Sequence, residues 1–155
     1  MVVKTLNSII RTSLLLIGVL IMNYTYAQDL KKHQWENRVV IIASQNEDSR
    51  TYQEQITKFN SLPKEFKERK IIVYQVLPDR YKLTDYQIKG KDIESISSPA
   101  LFDKFVNNKE HFKVILIGLD GGIKLEKTKV LSTTELFAAI DVMPMRRAEM
   151  KNKNR

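Results

Sequence analysis

Three short segments hold the side chains that this chain has available for chemistry. The first, Ser44 to Ser49 (SQNEDS), separates an apolar run from a helical pattern. A helix N-terminus at that point can hold an anion through its free backbone N–H groups. Glu47 and Asp48 already bring negative charge to that end, so the loop reads as one that caps itself. The second, Asp120-Gly121-Gly122, invites a metal or phosphate reading. A tight hairpin turn explains it better, because glycine takes positive φ without strain. The third is Ile140 to Arg147 (IDVMPMRR). Asp141 falls near a helix C-terminus, where the dipole disfavours a carboxylate, and Arg146 or Arg147 is close enough after a turn to offset it. Pro144 forces Met143 out of helical geometry and opens a second short helix through Met150. The product is a rigid corner, with Met143 and Met145 packed on the sheet. The rival reading is an exposed arginine pair that grips a carboxylate or phosphate, as guanidinium forks do.

His33 and His111 lie far apart and no cysteine joins them, so they make no metal signature. Two histidines define no serine-histidine-acid arrangement either. No cofactor is implied. The candidates for binding an anion or an acidic partner are Arg38, Lys124, Arg146 and Arg147. Trp35, Asp120, Gly121, Gly122, Asp141, Met143, Pro144 and Met145 carry structural motifs, and Trp35 with Arg38 is expected to seat the N-terminal segment on the core.

The elements that must position these residues follow from periodicity. Arg38 to Ala43 (RVVIIA) is a β-branched run suited to a strand buried on both faces. Tyr52, Ile56, Phe59 and Leu62 form one helical stripe, with Asp48, Ser49 or Thr51 as cap and Gln55 beside the stripe. Pro63 ends or kinks that helix, and Lys64 to Arg69 frays or adds a turn. Ile71 to Leu77 is a second strand, joined to the first by a right-handed parallel crossover. Pro78 to Ile96 is weakly patterned and reads as a long loop, with at most a short strand. Ser98-Pro99 opens a helix that buries Leu101, Phe102, Phe105 and Val106. Lys113 to Ile117 turns through Asp120-Gly121-Gly122 into Ile123 to Leu125 as an antiparallel hairpin. Ser132 and Glu135 make a capping box for a last helix that buries Leu136, Phe137 and Ile140. The order β-α-β-α-β-β-α predicts an α/β, thioredoxin-like sandwich on a mixed four-stranded sheet. A doubly wound sheet is the alternative, and the hairpin argues against it.

Residues 1–27 read as a signal peptide: Lys4 and Arg11, the apolar run Leu14 to Met22, and Thr25 and Ala27 ahead of a cleavage point. The run is shorter than the roughly 20 residues that span a bilayer. The expectations are a periplasmic or secreted protein, one domain over residues 28–150, and a disordered basic tail over 151–155. An exported chain without cysteine must hold its core by packing alone. Less Lys4 and Arg11, the +8 of the whole chain becomes +6. That balance favours an anionic envelope component or an acidic protein as partner, against the plainer reading of a solvated basic surface. No interleaved aromatics point to nucleic acid.

Leu30, Trp35 and Arg38 with the first strand, then Phe112 to Leu125, and above all the closing IDVMPMRR, resemble one family. It is the DUDES-type, peroxiredoxin-like domain of unknown function, DUF4174, of short exported bacterial proteins and animal sushi-repeat-containing extracellular proteins. The resemblance covers nearly all of the chain after residue 28. Lys113 and Leu119 depart from it, where arginine and lysine are usual. It implies a thioredoxin-like fold outside the cytoplasm and no established activity.

Thioredoxin-like proteins place their reactive thiol after the first strand, which here is Ser44 to Ser49, so thiol peroxidase and disulfide exchange are excluded. The leading expectation is a non-catalytic binding or scaffolding domain for an acidic partner, with a surface that includes Lys124, Arg146 and Arg147. The alternatives are a thiol-independent enzyme at Ser44 to Ser49, with Asp141 or Arg38 nearby, and attachment to an anionic surface through the basic tail.

Overall fold

The apolar run at Arg38–Ser44 forms β1, and all seven of its residues are buried. A strand buried on both faces belongs in the middle of a sheet, and β1 has a neighbour on each side. It runs parallel to β2 (Ile71–Val76), with Val40 opposite Val73. It runs antiparallel to β5 (Phe112–Ile117), with Val40 opposite Leu116. The computed structural model describes residues 30–88, 92–106 and 110–153. The expected leader, residues 1–27, lies outside them.

Three further strands complete the sheet: β3 (Arg80–Asp85), β4 (Asp92–Ser97) and β6 (Ile123–Lys127). The order is β4-β3-β2-β1-β5-β6, and every pairing except β1 with β2 is antiparallel. This corrects the expected four-stranded sheet to six strands. Pro78 to Ile96, expected to be a long loop with a short strand at most, instead holds β3 and all of β4 but its last residue. Their signal is weak for a physical reason. In β3 only Tyr81 and Leu83 are buried, and the residues between and around them are polar. Two inward positions hardly register against a charged background. The antiparallel last pair removes the doubly wound alternative.

Among the described residues, five helices cover the sheet. Helix α1 (Arg50–Asn60) starts at Ser49, whose side chain accepts from the Tyr52 backbone N–H. Leu62 and Pro63 then open α2 (Pro63–Glu68), a short helix of six residues, so of the two expectations for this stretch the added turn holds and not the fraying. Phe66 anchors it, fully buried, with ring centroids 5.1 Å from Phe59, 4.9 Å from Tyr86 and 5.6 Å from Phe137. Helix α3 (Pro99–Phe105) buries Leu101, Phe102 and Phe105. Helix α4 (Thr133–Asp141) is capped by Ser132, which accepts from the Glu135 N–H, as the capping box predicts. Helix α5 (Pro144–Lys153) begins at the predicted proline. It continues past Met150, so residues 151–153 are helical where a disordered tail was expected.

The main core lies on one face of the sheet. Val40 and Ile42 of β1, Val73 of β2 and Val114 and Leu116 of β5 meet Phe59, Phe66, Leu136 and Ile140 from the helices. Gln55 crosses into this core fully buried: its amide donates to the Leu131 carbonyl (3.1 Å) and accepts from the Leu131 N–H (2.7 Å).

The β5–β6 connection is a five-residue turn. Gly118 N–H donates to the Gly122 carbonyl, Gly121 N–H to the Gly118 carbonyl, and Gly122 N–H to Asp120 Oδ1. Gly121 has φ +79°, which glycine alone takes without strain. Gly121→Val is expected to lower stability by at least about 1 kcal/mol, read as a drop in the urea midpoint.

Candidate functional site

Asp141 ends α4, and the chain turns through Val142 and Met143 into α5. The carboxylate that the helix dipole disfavours is answered twice. Arg69 grips it with both arms of its fork, Nε to Oδ1 at 3.0 Å and Nη2 to Oδ2 at 2.7 Å. Arg146 donates from Nε to Oδ1 at 3.2 Å. Arg146 is only 4% exposed, and its remaining nitrogens donate to the Glu68 carbonyl (3.2 Å) and carboxylate (3.1 Å). Burial pushes the Arg146 pKa down, and the bonds to Asp141 and Glu68 more than reverse that. The expected corner therefore exists, with Arg146 as the partner of Asp141.

The four candidate cations take different roles in the structure, with Arg38 and Lys124 lining one cleft. Arg146 is consumed inside the corner, so the exposed arginine pair does not form. Arg147 is exposed, and its backbone N–H donates to the Met143 carbonyl. Lys124, on β6, pairs with Asp120 at 2.6 Å. That bond, then the Gly122 N–H, holds the Asp120 carboxyl below its ordinary value. Arg38 is fully buried at the head of β1. Its Nη1 donates to the Arg69 carbonyl (2.9 Å) and to Glu149 of α5 (3.2 Å). Glu149 also faces Arg146 at 3.6 Å and Lys70 at 3.8 Å.

Arg38 has a second edge. Its Nε and Nη2 are buried and have no hydrogen-bond partner. Arg38 also lines a cleft of about 300 Å³, whose other residues are Gly118 to Asp120, Lys124 and Val142 to Met145. The turn after β5 and the α4–α5 corner face each other across it. They meet because β5 runs antiparallel to β1, which brings the end of β5 beside the head of β1. At Gly118 an added Cβ would lie 2.6 Å from Lys124 Cε, so the missing side chain gives that lysine its path over the turn.

Two expectations for this region are corrected. Met143 packs on the core, but Met145 is 41% exposed at the cleft. Trp35 does tie the N-terminal segment down, through its backbone N–H to the Leu119 carbonyl at 2.7 Å. Its ring does not pack inward and is 61% exposed. Trp35 sits at φ +70°, a conformation that costs a bulky residue free energy and is held by this contact.

The Ser44–Ser49 loop lies at the opposite end of β1, about 20 Å from Arg38 at 3.3 Å per residue. It is self-bonded. Ser44 Oγ donates to the Asn46 carbonyl, Asn46 Oδ1 accepts from the Asp48 N–H, and Ser49 caps α1. A cavity of about 380 Å³ lies there, lined by these residues with Thr51, His111 and Phe112. The Ser44 hydroxyl reaches the His111 backbone carbonyl, and no bond to the imidazole forms. The Tyr52 phenol next to the loop is pushed up to about 12 by burial and then by Glu47, so it stays protonated at neutral pH. Ser44 and Gln45 thus share no pocket with Arg38 or Arg146. His33, buried, pairs instead with the Tyr74 hydroxyl at 2.7 Å.

Leu119, marked in the sequence only as a departure from the family pattern, lines the cleft together with Val142, which carries no signal of its own. The available signal was Arg38 itself, a charge heading a strand whose every residue is buried. No solved structure matches the chain. Residues 29–149, which include β1, the cleft and most of α5, match the family model described as "Domain of unknown function (DUF4174)". The chain therefore belongs to the DUF4174 family.

Proposed function

We propose that this protein is a cysteine-free, thioredoxin-like binding domain that recognises an acidic partner without chemistry, in the periplasm or outside the cell. The leader-like residues 1–27 support the location. The sub-order β2-β1-β5-β6, with one parallel and two antiparallel pairings, supports the fold reading, with β3 and β4 added beyond β2. At the place where such a fold keeps its thiol, this chain has a serine loop bonded to itself. The observation that carries the proposal is buried Arg38, a residue of the cleft lining whose Nε and Nη2 have no partner. Buried donors without partners cost about 1–3 kcal/mol each, and an anion bound there removes that cost.

Melting the protein in sodium acetate and in sodium chloride at equal ionic strength tests this. Acetate is expected to raise the melting temperature above chloride, and Val142→Trp, which fills the cleft mouth, is expected to abolish the difference. Equal melting in both salts for the wild type would refute the site. Turnover of peroxide or of a disulfide by the purified protein would refute the non-catalytic reading.

A further inference from the structure

The structure carries an inference about what the acidic ligand is. We infer that the cleft over Arg38 takes a single carboxylate at the end of an apolar chain. This rests on the reading of that cleft as the recognition site.

The head group follows from the guanidinium geometry. Nη1 is occupied by the Arg69 carbonyl and Glu149, which fixes the plane of the group. The free edge is the one that presents Nε–H and an Nη2–H side by side. Two parallel N–H groups match the two oxygens of a carboxylate. The charge of the site selects a monoanion. The lining holds Arg38, Lys124 and Asp120, one positive charge in excess, and Glu149 stands on the far side of Arg38. A doubly charged phosphate would overfill that balance.

The tail follows from the walls. Leu119, Val142, Met143, Pro144 and Met145 are apolar, and methionine adapts to chains of different shape. Val142 is 60% exposed and Met145 41% exposed, large apolar groups at the cleft with no apolar cover of their own. A cavity of about 300 Å³ is at the small end of ligand sites, which suits one chain of medium length. The same chemistry occurs in a free fatty acid and in a peptide C-terminus with an apolar last residue.

Calorimetric titration of the whole protein with octanoate, octanol, acetate, inorganic phosphate and an N-acetyl dipeptide ending in leucine tests the inference. Octanoate or the dipeptide is expected to bind at least tenfold more tightly than acetate, octanol or phosphate. The tighter of the two names the source, and either order upholds the inference. Arg38→Lys, which keeps the charge and loses the fork, is expected to lose at least tenfold and the preference over octanol. Val142→Trp keeps Arg38 and is expected to lose at least tenfold for octanoate, so a poorly folded Arg38 variant leaves the test intact. Octanoate no tighter than acetate would overturn the apolar tail while leaving an anion site. Octanoate no tighter than octanol would overturn the role of Arg38. Phosphate as tight as octanoate would overturn the monoanion. Failure of every compound to bind would overturn both this inference and the proposed function.

Discussion

Asp141→Asn is expected to destabilise the fold by about 2–3 kcal/mol, measured as a lower urea midpoint at unchanged slope. The asparagine NH₂ would face guanidinium donors where a carboxylate now accepts from Arg69 and Arg146. Arg146 is 4% exposed and cannot turn to water for replacement bonds. The figure stays below the full cost of breaking a buried pair because Asp141 is itself 32% exposed and Arg146 keeps Glu68. The same carboxylate sets a pH dependence. Burial pushes the Asp141 pKa up from 3.8, but the bonds from Arg69 and Arg146 outweigh burial and hold it lower. Glu68 is likewise held below 4.5, first by its bond from Arg146. A group with a lowered folded pKa stabilises the fold at pH above its unfolded value, and that contribution drains as pH falls through the folded value. Acid unfolding is therefore expected to begin near pH 4.5 and to steepen below 3.8, and Asp141→Asn is expected to flatten the lower part of that limb. An unchanged acid limb in the variant would show that the corner does not couple to folding.

Gln55→Leu is expected to cost about 2–4 kcal/mol although leucine suits a helix and a core. Gln55 is fully buried, and it satisfies both the N–H and the carbonyl of Leu131. Removing the amide strands a buried donor and a buried acceptor at once, where each unpaired group costs about 1–3 kcal/mol. Thermal and urea unfolding of the variant read the loss directly. A change under about 1 kcal/mol would mean that water enters and pairs with Leu131.

Both sites illustrate what was legible in the sequence. The capping serines, the parallel crossover and the hairpin turn are written in neighbouring residues, so periodicity and turn chemistry reveal them. The Asp141–Arg146 pair is five residues apart and was within reach of the same reasoning. Arg69, the stronger holder of Asp141, comes from the end of α2, and nothing local links the two. Strand β3 leaves little trace in the sequence because only Tyr81 and Leu83 alternate inward against a polar background. The cleft was lost because its walls come from the head of β1, the turn after β5 and the α4–α5 corner, which only the antiparallel β1–β5 pairing brings together. The charge of Arg38 is visible in the sequence, and its unpaired edge is a property of the packed molecule alone.

The central position of β1 bears on how the molecule assembles. One flank is closed by β2 after a single crossover; the other waits for β5, which is made only after two more strands and a helix. Such distant closure slows a chain relative to one built from local contacts. Until β5 arrives, a sticky, half-satisfied ribbon is open to the wrong neighbour. Once it has arrived, the amides of β1 should be the last to trade their hydrogens with solvent, because no partial opening frees them from both sides.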